Sequence, residues 1–108
     1  MKAGLYESLV SRSRGHCEAC SLPFGQSMEL RPEADHFWGR SRADEDESTV
    51  WLIHASCHAN KHAGRPSAAH HLKAFLVHAE KHNYRATYDR AFRRLQFVEQ
   101  RDAFGRSA

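Results

Sequence analysis

Apolar residues along this 108-residue chain come in short groups whose spacing changes from one segment to the next. Leu5, Leu9 and Val10 fall at helical intervals within residues 3–13, and Gly15 ends that segment. Leu22, Pro23, Phe24 and Gly25 are turn residues. From Met28 onward the apolar positions Met28, Leu30 and Ala34 alternate with Glu29, Arg31 and Glu33, the period of a strand, with Pro32 marking an edge or a bend. Residues 39–48 form a polar loop, and the β-branched and aromatic residues 49–54 read as a second strand. Residues 55–63 read as a helix stopped by Gly64, Arg65 and Pro66. Ser67 is placed to cap a further helix with Leu72, Phe75, Leu76 and Ala79 on one side. Asn83 breaks that pattern, and a last helix from about Arg85 turns Tyr88, Phe92, Leu95 and Val98 inward. On this reading Tyr84, Tyr88, Phe92 and Phe97 pack on the preceding helix rather than stack on bases. The order helix, two strands, helix, two helices predicts a small α+β fold. It forms one domain over residues 1–108, with a core at about 14–65 and a helical extension at about 67–104.

A hydrophobic fraction of 41% permits a core, but a small one that a metal would help to hold. The longest apolar runs are four residues, Val50 to Ile53 and Ala74 to Val77, against the roughly 18–20 a bilayer requires. Residues 1–7 lack an apolar signal core and carry Glu7 where one would sit, so the expectation is a cytoplasmic protein without a membrane partner. Two counts change the picture: three cysteines, which cannot close a disulfide framework without one left over, and nine histidines. In a reducing compartment such cysteines more often hold metal than bridge. Charge is uneven, a net −3 over residues 1–48 and +6 over 49–108, so the C-terminal half favours an anionic partner.

Cys17 and Cys20 are separated by two residues, and His54 and Cys57 repeat that gap with an imidazole in place of one thiolate. Together they form a closed Cys3His set suited to tetrahedral Zn2+, and every cysteine is used. Structural zinc contributes on the order of 10 kcal/mol in zinc-finger peptides, enough to make the ion a folding requirement for a marginal core. The 33 residues between the two pairs must build something of their own.

Within that insert stand Asp35 and His36, and directly after the last cysteine come His58, Asn60, Lys61 and His62. A CxxC, a strand ending in Asp-His, and a second knuckle followed at once by His, in that order over roughly residues 14–65, resembles the zinc-stapled branch of the HNH endonuclease family. The resemblance implies a ββα-metal (His-Me finger) core and hydrolysis or nicking of DNA, leaving the phosphate on the 5′ side of the break. It implies His36 as general base, with Asp35 and His58 holding a catalytic Mg2+ or Mn2+. His62, one helical turn after His58, is a further candidate ligand, as in histidine-rich relatives. A neutral imidazole suits water activation, and the cation neutralises the phosphate and the leaving oxygen. Cys57 and His58 are neighbours on a helix start and point about 100° apart, so one can face the zinc and the other the catalytic cation. Adjacent residues on a flat strand face opposite ways, so Asp35 and His36 converge only where the strand twists or ends.

The family's asparagine is missing: Thr49 stands where it would, with a shorter reach for the loop around the general base. That departure motivates the alternative of a zinc-stabilised DNA-binding module with weak or no catalysis, and an RNase or toxin stays open beside it. Arg40, Arg42, Lys61 and Arg65 are candidate phosphate contacts near the site. Arg93 and Arg94, with Arg90 and Arg101, form a basic stripe on the last helix that would track duplex DNA. The acidic run Asp44 to Glu47 reads as a solvated loop, and His70, His71, His78 and His82 as polar-face residues of a helix. Whether the chain acts as monomer or homodimer is left undecided, and a phage or mobile-element source is the setting in which compact HNH proteins are frequent.

Overall fold

The computed structural model describes residues 1–39, 45–63 and 68–107, with side chains placed for 1–39, 45–60 and 69–101. Elements follow in the order α1 (Leu5–Ser13), β1 (Pro32–His36), β2 (Val50–His54), α2 (Ala55–Ala63), α3 (Ala68–Lys81) and α4 (Arg85–Ser107). Among the described residues the architecture is α+β: four helices around a two-stranded antiparallel sheet. None of these helices is long and apolar enough to cross a membrane.

The sheet registers Pro32 against His54, Asp35 against Trp51 and His36 against Val50. Every residue of β2 is buried, and its alternation divides two cores. Val50 and Leu52 turn toward Leu5 and Leu9 of α1, with Ala34 of β1 packed beside them. Trp51 and Ile53 turn the other way, toward Leu72, Phe75 and Leu76 of α3 and Ala91, Leu95 and Val98 of α4. Phe37 joins this second core by stacking on Phe75, centroids 3.9 Å apart and planes 3° from parallel. The free edge of β2 is closed by the segment after α1. Glu18 donates its backbone N–H to Leu52 O at 2.9 Å, and its carboxylate accepts Leu52 N–H at 2.9 Å.

The strand expected from Met28 begins only at Pro32, and Met28 and Leu30 are 73% and 44% exposed. Residues 27–31 instead form a turn, Leu30 and Arg31 both donating to Ser27 O. That turn has a use in the fold. The carbonyls of Arg31 and Glu29 accept the N–H groups of Ala55 (2.9 Å) and Ser56 (3.1 Å), two of the orphan donors that open α2. The second strand and the helix over 55–63 lie where the pattern placed them. The stop at Gly64 to Pro66 and the cap at Ser67 lie outside the described residues.

Helix α3 ends in a Schellman motif. Asn83, at φ 61°, donates to Glu80 O at 3.2 Å, and Tyr84 donates to Ala79 O at 2.9 Å. Helix α4 buries Thr87, Ala91, Leu95 and Val98, whereas Phe92 and Phe97 are 43% and 53% exposed, contrary to the inward position expected for them. The small Ala91 lies on the contact line, which rotates the helix so that Phe92 falls on its flank, stacked on Tyr88 at 6.2 Å. On α3, His71 and His78 are buried rather than on the polar face, at 6% and 5% exposure.

Candidate functional site

The two cysteine-bearing pairs meet. Arg14 (φ 52°) and Gly15 (φ 78°) reverse the chain after α1 into a tight loop, in which Cys17 donates to Leu22 O at 2.9 Å and Ser21 to Cys17 O at 2.8 Å. The second pair spans the end of β2 and the first turn of α2. One ligand atom each from Cys17, Cys20, His54 and Cys57 lies within 4.8 Å of every other, so this Cys3His group could hold a metal ion. Cys17 Sγ and Cys57 Sγ are 3.9 Å apart, and His54 Nδ1 is 3.2 Å from Cys20 Sγ and 3.9 Å from Cys57 Sγ. A tetrahedral ion with bonds of about 2.0–2.3 Å separates its ligands by roughly 3.5–3.8 Å, the range these distances straddle.

The surroundings prepare the four groups for a cation. Pro23 O can only accept, so the 2.9 Å contact from His54 Nε2 places the proton there and leaves the Nδ1 lone pair toward the sulfurs. Cys17 Sγ receives the N–H groups of Cys20 (3.4 Å) and His54 (3.3 Å). Burial and the nearby Cys17 and Cys20 sulfurs push the Cys57 thiol up to about 12, and burial chiefly raises Cys20 as well. Three thiolates therefore gather here only when a cation balances them.

Beside this group, β1 and α2 bring two more carboxylates onto one imidazole. Glu33 and Asp35, two apart on the strand, share a face, and His58 of α2 sits across from both. His58 Nδ1 is 3.0 Å from Glu33 Oε1, and His58 Nε2 is 3.4 Å from Asp35 Oδ1. Asp35, 2% exposed, accepts the Trp51 indole N–H on Oδ2 at 2.8 Å, which aims Oδ1 at the imidazole. The hydrogen bond from His58, followed by Arg31, holds the Glu33 carboxyl below its ordinary range. Glu33 must accept, so the Nδ1 proton is fixed and Nε2 is the atom that can offer a lone pair.

His36 ends β1 one residue after Asp35 and takes a separate partner: Nε2 lies 2.7 Å from Glu45 Oε2. Asp35 and His36 thus diverge along the strand, as pleating requires, toward different carboxylates. The His36 hydrogen bond is also the main cause that draws the Glu45 carboxyl down, with the backbone N–H of Lys2 second. Thr49 contributes through the intervening turn. Its hydroxyl accepts Asp46 N–H at 3.1 Å, and its carbonyl accepts Phe37 N–H at 3.0 Å. Asp46 in turn binds Ser48 through N–H (2.7 Å) and Oγ (2.6 Å). The acidic run is therefore not simply solvated over its described part: Glu45 serves His36 and Asp46 shapes the turn.

The remaining candidates divide plainly. Arg40, Arg42 and Arg65 lie outside the described residues, as do the side chains of Lys61 and His62. Arg90, Arg93, Arg94 and Arg101 are all exposed on α4, with Arg90 stacked 4.2 Å over the Trp38 ring and Arg94 5.0 Å over Phe97. Glu33, Glu45 and Trp51 were not expected as site residues. Glu33 had a signal, being two positions before Asp35 on the same strand face; the other two are brought in by the register and by the turn. Comparison with protein-family models, curated proteins and solved structures finds no match to this chain.

Proposed function

We propose that the chain is a small metal-dependent HNH endonuclease that hydrolyses or nicks DNA phosphodiester bonds on a ββα-metal core built from β1, β2 and α2. The observation that carries this reading is the approach of Asp35 Oδ1 to His58 Nε2 at 3.4 Å, one residue along the chain from Cys57. Ligands of one small cation at about 2.1 Å stand roughly 3.0–3.4 Å apart, so the pair has the span to share an ion. Zinc suits the Cys3His group, whose three sulfurs and one nitrogen match its preferences. Held by zinc, Cys57 sets the start of α2 and with it the direction of His58.

The chain's own residues then divide the reaction. His36, at the end of β1, accepts the proton of the attacking water on its imidazole, and Glu45 stabilises the imidazolium that forms. Asp35 and His58 would hold a divalent ion such as Mg2+ or Mn2+; Glu33 orients His58 as the outer partner of a ligating histidine. When bound, that ion supplies charge neutralisation at the scissile phosphate and the departing oxygen. Thr49 supports the turn carrying Glu45, the task the family's asparagine performs around its base. The exposed arginines of α4, Arg93 and Arg94 among them, bind the duplex backbone without reading its sequence.

The test is supercoiled plasmid incubated with zinc-loaded protein and Mg2+ or Mn2+. Nicked or linear product is expected, with His36→Ala lowering the rate at least about 100-fold at unchanged zinc content. Cleavage that survives in this variant removes the assignment of the base. A gel shift without any cutting leaves the zinc-stabilised binding module as the function.

A further inference from the structure

A second group of possible ligands, Glu18, His78 and His82, is not used by the nuclease reading. His78 and His82 are one turn apart at the end of α3, where His82 N–H still bonds His78 O at 3.2 Å. Their rings stand 4.9 Å apart in an edge arrangement. Glu18 reaches them from the knuckle, its Oε2 3.6 Å from His78 Nδ1. One atom from each of the three residues lies within 4.8 Å of the others.

Two observations point to a ligand at this place. The residues border a cleft of roughly 870 Å3 between α1, the knuckle and α3. His78, 5% exposed, also lines that cleft and turns Nδ1 toward Glu18 Oε2, so Nδ1 is the atom placed to ligate, with the ring proton on the buried Nε2. Glu18 retains capacity as well. Its Oε1 accepts Arg12 Nη2 and Leu52 N–H, while Oε2 accepts Arg12 Nε alone and keeps a second lone pair.

We propose that Glu18, His78 and His82 form a second transition-metal site, separate from the Cys3His group, that takes Zn2+ or a similar nitrogen- and oxygen-binding divalent ion. Two imidazoles and one carboxylate are a zinc donor set that leaves a fourth position open, here toward the cleft. A tetrahedral ion with bonds of about 2.0–2.1 Å needs ligands roughly 3.4 Å apart, so Glu18 and His78 are already near that spacing and the partly exposed His82 has only to close in. The Arg12 guanidinium on Glu18 opposes a cation there, so this site binds more weakly than the thiolate group and fills second.

Protein carrying one equivalent of zinc is titrated with Co2+. A second equivalent is expected to bind with ligand-field absorption but without the near-ultraviolet sulfur-to-cobalt band, and with paramagnetic shifts of the His78 and His82 imidazole resonances. His82→Ala, at a partly exposed helix end, should weaken that second binding at least tenfold and leave the first equivalent in place. His58→Ala, which removes an imidazole from the proposed catalytic cation site, should leave it intact. Absence of a second equivalent, its persistence in His82→Ala, or its loss in His58→Ala overturns the proposal. A negative plasmid assay has no bearing on it.

Discussion

Among single residues, Arg12 and His78 show most clearly how one side chain can serve the whole fold. Arg12 leaves α1 and grips both oxygens of Glu18 at 2.7 and 2.8 Å, Val50 O at 2.9 Å and the Tyr84 hydroxyl at 3.1 Å, and it also bonds Glu47 O. A planar fork with five donors can serve partners from the knuckle, β2 and the start of α4 together; a lysine could not. His78 sits in the same neighbourhood, facing Glu18, Arg12, His82, Lys81, Tyr84, Trp51 and Phe75. Burial, followed by the Arg12 charge, pushes its imidazole down to about 3. An unfolded chain takes up that proton near pH 6.5, whereas the folded chain does not until near pH 3, so the unfolded state binds more protons in between and stability falls as the solution is acidified through that window. The slope approaches 1.4 kcal/mol per pH unit at most, about 1.4 being the free energy of one unit. Urea unfolding at pH 7, 6 and 5, with the knuckle zinc alone bound, should show a steeper acid loss in the wild type than in His78→Leu. Equal slopes would show that His78 titrates normally.

At the scale of elements, packing overrules periodicity where the two conflict. Residues 28–31 alternate like a strand, yet the carbonyls of Glu29 and Arg31 go to the opening turn of α2 and that of Leu30 to Gly25 N–H, and no strand pairs with them among the described residues. By contrast β2 reads as a strand and forms one, because each of its faces meets an apolar group: α1 on one side, α3 and α4 on the other. The last two helices approach through the fully buried Ala91, and a large residue there has nowhere to go. Ala91→Leu is therefore expected to cost about 1–3 kcal/mol by thermal unfolding, through overpacking at that crossing. No loss of stability would mean that α4 lies loosely on α3.

For the molecule as a whole, the Cys3His group joins the segment after α1 to the junction of β2 and α2, and both cores are built outward from that junction. Zinc bound there at about 10 kcal/mol rivals the entire stability of a domain this size, roughly 5–15 kcal/mol. Stripping the protein with a strong chelator at neutral pH should abolish its cooperative thermal transition, and returning one equivalent of Zn2+ should restore it. An unchanged melting temperature after removal would show that the fold stands without the ion.

The chain alone determined the element order, the C-terminal ends of α1 and β2, the buried stripe of α3 and the four residues of the Cys3His group, since each depends on local periodicity, turn chemistry or a short repeated spacing. Only the tertiary structure decided that Glu33 and Asp35 face one imidazole while His36 turns to Glu45, and that His78 is buried against Glu18 when its helical spacing placed it on the polar face. The reason is the same for each. Strand register, the direction of the 45–49 turn and the approach of α3 to the knuckle arise from burying both faces of β2 at once, a condition that no window of neighbouring residues contains.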